Sequence, residues 1–234
     1  MCGRYVAKRD LDDLVAEFEA EDAIGEPLPR DYNIAPTDPV PCVLTRHRSG
    51  DRGGPVVRQL RRARWGLVPS WAPDTKGAAR RINARAETVT EMPAFRSAMA
   101  RRRCLVPADG WYEWAPAEAG GKQPTYLTPP DDRGLAFAGL YEIWGPDKLL
   151  TTSIVTTAAA GELTRVHSRM PLVLPRGAWA AWLDPDRDDA VALLEPDLAA
   201  IADLELRPVG PAVGSVHSDG PGLIERVATA ATLF

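Results

Sequence analysis

No stretch of this chain reaches the ~18 consecutive apolar residues that a bilayer-spanning helix needs. Its opening Met-Cys-Gly-Arg-Tyr has neither the apolar core nor the small-residue cleavage site of a secretion signal. A soluble protein of the cytoplasm is therefore expected, or of the nucleus in a eukaryote. Cysteine is scarce: Cys2, Cys42 and Cys104 are the only three in 234 residues. An odd number cannot pair completely, and their wide spacing lacks the Cys-x-x-Cys pairs of a structural zinc site. Free thiols in a reducing compartment are expected, with no metal and no cofactor. Histidine is equally sparse, with His47, His167 and His217 alone. A basic surplus is missing too, since 28 Lys and Arg face 32 Asp and Glu for a net charge of −4. That balance argues against a broad electrostatic grip on nucleic acid.

What is present is unevenly spread. Arginines gather between Arg46 and Arg103, at positions such as Arg58, Arg61, Arg62, Arg64, Arg80, Arg81, Arg85, Arg96, Arg101 and Arg102, whereas the 10–22 stretch and the C-terminal end are acidic. Two readings stay open: a local basic surface on an acidic protein, or ordinary solvated faces of strands and helices. A hydrophobic fraction of 45% suffices for one substantial core, and residues 1–234 read as one domain.

Asp10 precedes Leu11, Leu14, Val15 and Phe18 at helical spacing, the pattern of an N-capped amphipathic helix. After a turn-rich region come short β-like runs at 42–45, 56–60, 104–106, 125–127, 135–141 and 150–156, separated by Pro, Gly and Asp. Helical patterns return at 93–101, 161–166, 176–183 and 189–194, the first opening on a proline. The 117–123 and 48–54 stretches read as exposed loops. No internal repeat is visible. The fold class expected is α+β, with a mainly antiparallel sheet, curled or closed as a barrel, and peripheral helices.

Several short words combine polar and aromatic residues in ways that packing does not demand. They are Met1-Cys-Gly-Arg-Tyr5, Asn33-Ile-Ala-Pro-Thr37, Trp65-Gly-Leu-Val-Pro-Ser-Trp71, Ile82-Asn-Ala-Arg-Ala-Glu-Thr88, Cys104-Leu-Val-Pro-Ala-Asp-Gly-Trp-Tyr-Glu-Trp114 and Val166-His-Ser-Arg-Met-Pro171. Removing Met1, which a small second residue favours, leaves Cys2 with both an α-amine and a thiol. Their ordinary pKa values, ~7.7–8.0 and ~8.5, leave useful fractions of both nucleophiles near neutrality. An aldehyde meeting this pair forms a Schiff base with the amine, and the thiol then closes a five-membered thiazolidine. A ring-opened abasic deoxyribose is such an aldehyde. The plain alternative is that Cys2 is a small buried residue near a terminus.

Strand alternation puts Trp111 and Glu113 on one face. A carboxylate among Trp111, Tyr112 and Trp114 should be partly desolvated, with a raised pKa suited to proton exchange; the alternative is an exposed strand-end glutamate. Asn83 has no titratable group, so it either orients a partner through its amide or forms a turn.

Taken in order, the six words closely resemble the SRAP family of SOS-response-associated, abasic-site-protecting proteins, over nearly the whole chain. The resemblance implies a protein that captures abasic sites in single-stranded DNA covalently through Cys2, shielding the lesion in the DNA damage response. It implies Glu113 as general acid and base, His167 moving protons beside the opened sugar, and Asn83 holding the amine or the sugar. Arg4, Arg85 and Arg169 would lie on the phosphate backbone. Asn33 and Pro36 would shape the same groove, and Trp65, preferred to Trp71, would stack on a base or block a continuing duplex. One departure stands out: the family often has an asparagine in the 212–216 segment, where this chain has Gly214, which puts the fit of that segment in doubt.

Three rivals use the same residues. Met-Cys-Gly also opens glutamine amidotransferases, but their other signature words are missing here. An N-terminal-cysteine peptidase would use Cys2, Glu113 and His167 on peptides, including removal of Met1, and a lyase activity belongs with the same groups. A noncovalent single-strand-binding module would make Cys2 incidental.

Overall fold

Runs of Val, Ile, Thr and aromatics between Pro and Gly make strands the dominant element. The computed structural model describes residues 2–48, 54–117 and 120–228. In chain order the first strands are β1 (Tyr5–Ala7), β2 (Glu21–Asp22), β3 (Asp31–Ile34), β4 (Pro39–His47), β5 (Val56–Trp65) and β6 (Asn83–Arg85). They are followed by β7 (Arg103–Ala108), β8 (Gly110–Pro116), β9 (Lys122–Thr128), β10 (Leu135–Trp144), β11 (Leu149–Ala158), β12 (Arg169–Pro171) and β13 (Glu205–Pro208). The α-helices are α1 (Leu11–Phe18), α2 (Arg96–Arg101) and α3 (Arg176–Leu183).

One sheet runs β13-β9-β8-β1-β3, and the other β12-β11-β10-β7-β4-β5-β2. The larger sheet closes on itself, because β5 also pairs in parallel with β11 through Thr151 and Arg64 and through Thr152 and Trp65. Strands β4, β5, β11, β10 and β7 thus form a ring of pairings. Beyond β5, the same edge of β11 accepts β6 in parallel, with Asn83 opposite Ile154 and Arg85 opposite Thr156. The fold is α+β, mainly antiparallel, with helices at the periphery.

The helices cover the outside of the ring. Asp10 accepts from the Asp13 amide at 3.0 Å to cap α1. Phe18 then stacks on Trp179 of α3 with ring centroids 4.5 Å apart. Residues 176–183 form a helix as expected, whereas α2 starts at Arg96 rather than at Pro93, which sits in the preceding turn. The 161–166 and 189–194 patterns are 3-10 turns, Gly161–Arg165 and Ala190–Leu194. Segments of about one turn cannot sustain an α-helix by themselves, and apolar spacing of three or four does not separate the two forms. Each expected strand run is present and longer than its pattern. Of the 117–123 stretch, Gly120 and Gly121 are exposed as expected, while Lys122 and Gln123 already belong to β9, opposite Pro116 and Ala115 of β8. Residues 118–119, and 49–53 of the other expected loop, lie outside the described residues.

A second core lies where the two sheets meet. Tyr5 contacts Trp65 edge-on at 5.2 Å and Phe137 at 6.0 Å, and Trp111 meets Phe137 at 5.9 Å. Such pairs contribute ~0.5–1.5 kcal/mol each beyond area burial. They hold the N-terminal strand against the ring, and Cys2 belongs to this cluster.

Candidate active site at the N-terminal strand

Strand β1 lies between β3 and β8, with Tyr5 opposite both Ile34 and Trp111. The Tyr112 amide donates to the Arg4 carbonyl at 2.9 Å, so the chain before Tyr5 continues antiparallel to Glu113. Alternation along β8 sends Tyr112 and Trp114 into a separate cluster with Tyr126 and leaves Trp111 facing the inter-sheet core. Asn83, heading β6, donates from Nδ2 to the Cys2 carbonyl at 2.8 Å. Its Oδ1 is buried with no hydrogen-bond partner among the described residues. The third approach comes from His167, between the Gly161–Arg165 turn and β12. Its Nδ1 lies within hydrogen-bond reach of both the Arg169 amide, at 2.9 Å, and the Arg169 carbonyl, at 3.2 Å, which fixes the ring against the start of β12.

Cys2, Asn83, Glu113 and His167 therefore converge from four segments of the chain. Cys2 is 0% exposed, and burial first, then the charge of Glu113, pushes its thiol well above the ordinary range. Glu113 is 4% exposed. Its carboxyl is raised by burial, with the positive field of His167 among the opposing effects. Cys2 and Glu113 are thus poorly solvated groups whose protonated forms burial favours, and near neutral pH a raised carboxyl exchanges protons more readily than an ordinary glutamate.

The other expected site residues fall into two groups. Arg85 is exposed at the end of β6. Arg169 donates to the Thr156 carbonyl at 2.6 Å and to Glu87 at 2.5 Å. Arg4 and Asn33 instead tie elements together: Arg4 donates to Asn33 Oδ1 at 2.9 Å, and Asn33 Nδ2 donates to the Ser215 and Ser218 carbonyls at 2.8 Å each. This ties down the segment around Gly214, where a side chain would meet nothing within 4 Å. Pro36 lies in the turn after β3, beside Ala35 and Asp38.

Trp65 requires correction. It is fully buried, donates to the Ile82 carbonyl at 2.9 Å and packs on Tyr5, so it offers no ring face to a nucleotide. Closing the ring turns the end of β5 inward. Trp71, 62% exposed, is the tryptophan of that word that solvent reaches. The basic stretch is also thinner than its count suggests. Arg58 donates to the Phe18 carbonyl, while Arg62, Arg101 and Arg102 pair with Glu26, Asp188 and Glu142. Sequence reading assigned nothing to Glu87, although it closes the Ile82-Asn-Ala-Arg-Ala-Glu word. Among the described residues no cluster of three or more His, Cys, Asp or Glu could hold a metal, and no helix is long and apolar enough to cross a membrane.

A family model described as SOS response associated peptidase (SRAP) matches residues 1–216. The chain is 36% identical over 233 residues to a protein of Bacillus subtilis (strain 168) named abasic site processing protein YoqW, an alignment covering 96% of this chain and 99% of that one. A second protein of that organism, abasic site processing protein YoaM, is 36% identical over 79% of this chain and 80% of its own. A crystal structure of a protein from Bacteroides thetaiotaomicron superposes with a TM-score of 0.80 at 23% identity, covering 97% of this chain and 100% of that one.

Proposed function

The chain belongs to the SRAP family, and from that premise we propose that it processes abasic sites by binding single-stranded DNA and joining the lesion covalently to Cys2. The observation that carries this reading is the meeting of Cys2 with the Asn83 amide, which holds its carbonyl, and with the Glu113 carboxyl, which in turn feels His167. The names of its Bacillus relatives support the substrate class.

The chemistry needs Met1 removed, because a peptide-bonded nitrogen is no nucleophile; Met1 itself lies outside the described residues. His167 donates from Nε2 to the ring oxygen as the hemiacetal opens, and the C1′ hydroxyl proton leaves to give the aldehyde. The α-amine of Cys2 adds to C1′, and loss of one water gives the imine. The thiol then adds across the carbon–nitrogen bond: sulfur bonds to C1′ and its proton passes to nitrogen, with Glu113 as the relay. A general acid or base so placed contributes ~10²–10⁴-fold. Asn83 keeps the Cys2 peptide oriented through its Nδ2, and its Oδ1 is an acceptor suited to the freed amine.

Arg85 and Arg169 would meet phosphates, and Trp71, rather than Trp65, would stack on an unpaired base. Stacked duplex around the lesion must be opened at a cost of a few kcal/mol, so single strands and single-strand junctions should react faster than continuous duplex. Such a protein would act in the DNA damage response, close to the chromosome. Removal of Met1 by the chain's own groups fits the same constellation. General proteolysis fits less well, since burial opposes formation of the thiolate that peptide attack requires.

Intact mass spectrometry before and after mixing with an abasic single-stranded oligonucleotide tests both halves. The expected spectrum lacks Met1 and gains the oligonucleotide mass less one water. An unmodified spectrum from protein that lacks Met1 would overturn the proposal.

A further inference from the structure

Arg85 and Arg169 do not face solvent alone. The turn after β6, closed by the Thr88 amide donating to the Arg85 carbonyl at 3.1 Å, swings Glu87 back over the same surface. The Glu87 carboxylate accepts from Arg169 Nη1 at 2.5 Å, and its acidity is strengthened first by that bond and further by the fields of Arg169 and Arg85. The anionic group is thus paired with Arg169 and lies within the field of Arg85. The Arg169 side chain is only 16% exposed and that of Glu87 is 50% exposed, so Glu87 occupies the solvent side of the guanidinium. The other side is committed, with Nη2 donating to the Thr156 carbonyl and to its Oγ1 at 3.2 Å. A ligand oxygen approaching Nη1 from solvent therefore competes with Glu87 for it.

We propose that Glu87 is an internal surrogate for a DNA phosphate, occupying Arg169 in the DNA-free protein and yielding it when a strand enters. This rests on the reading of the chain as a single-strand-binding protein. Carboxylate and phosphate share the paired acceptor oxygens that a guanidinium prefers, so the exchange preserves the geometry of Arg169 while the protein is empty. The consequence is selectivity. Every intact strand must displace Glu87 and is held only reversibly, whereas an abasic strand needs one productive visit before the covalent bond retains it. Glu87 therefore limits sequestration by undamaged DNA.

Because an ion pair with one partner half-exposed is weak, Glu87→Gln should tighten binding of an intact fluorescent oligothymidylate by about two- to fivefold. Glu87→Ala should do the same, provided both variants keep the wild-type melting temperature. In an Arg169→Ala background, Glu87→Gln should change affinity little. Weaker binding by Glu87→Gln would make Glu87 a positioning residue for Arg169 and overturn the surrogate role. Equal tightening with and without Arg169 would reduce it to a general field effect and overturn it as well. If the wild-type chain crosslinks abasic oligonucleotides while Glu87→Gln leaves affinity unchanged, the surrogate role alone fails. A wild-type chain that neither binds nor crosslinks single strands overturns both readings.

Discussion

Two regions bury strongly polar side chains, and they treat them in opposite ways. Arg103 at the start of β7 is 3% exposed. Its guanidinium donates to the carbonyls of Trp182 at 2.8 Å, Met99 at 2.8 Å, Ala100 at 2.9 Å and Arg187 at 3.2 Å, and also to that of Asp184. It ties the C-terminal ends of α2 and α3, where carbonyls lack helical partners, to the ring. The Cys2 site is as dry but not saturated: Asn83 Oδ1 has no partner among the described residues, and Cys2 and Glu113 hold raised pKa values. A buried polar group without a partner costs ~1–3 kcal/mol. The molecule bears that cost at the N-terminal strand and avoids it at Arg103. Burial at Arg103 is saturated and ties helices to the ring, whereas burial at the N-terminal strand leaves the Asn83 acceptor open.

The largest effects should break the contrast outright. Cys2→Ala should abolish the heat-stable adduct on abasic oligonucleotides while leaving the thermal transition close to wild type; an undiminished adduct on a denaturing gel would remove Cys2 from the mechanism. Next, Glu113→Gln and His167→Ala should slow single-turnover crosslinking by roughly 10²–10⁴-fold with affinity for intact single strands nearly unchanged. If both lose affinity yet crosslink normally at saturating protein, they belong to the binding surface instead.

The saturated region should answer in stability rather than chemistry. Arg103→Met leaves several buried carbonyls without donors and should cost at least about 3 kcal/mol in urea unfolding. The crosslinking rate of its folded fraction should stay unchanged, and a stability loss below about 1 kcal/mol would mean that water replaces the guanidinium. Trp71→Ala should leave stability alone and weaken single-strand affinity by ~1–3 kcal/mol, while Trp65→Ala should cost ~3–5 kcal/mol of stability. Reversed outcomes would restore Trp65 to the DNA surface.

The smallest effect is a pH slope. The folded state raises the carboxyl pKa of Glu113, so the native protein holds that proton more tightly than the unfolded chain. The stabilising contribution is complete below the unfolded value of ~4.3 and declines as pH rises from there through the folded value. Unfolding free energy measured against pH should therefore fall more steeply across that window for wild type than for Glu113→Gln. Parallel curves would show that the carboxyl is not shifted.

Much of this was legible without coordinates. Cys2, Asn83, Glu113 and His167 stand in the words that carry the family resemblance, and that resemblance, more than their local chemistry, set them apart. The longer strands announce themselves through β-branched runs, and α1 through its cap and spacing. Strands such as β1, β6 and β12 carry no such signal. Three residues make no period, and these strands exist because longer ones offer them an edge, as β11 does for Asn83 opposite Ile154.

Only the tertiary structure decided which polar residues meet and which aromatics stay wet. Asn83 reaches the Cys2 carbonyl across 81 positions, Glu87 reaches Arg169 across 82, and Arg103 finds its acceptors on two helices. Trp65 and Trp71 share one word, yet ring closure buries the first and leaves the second exposed. The sequence by itself determined the candidate groups, the strand-rich α+β class and the absence of a net basic surplus. Burial and pairing between distant segments decided their states, because desolvation and hydrogen bonding depend on what surrounds an atom rather than on its neighbours along the chain.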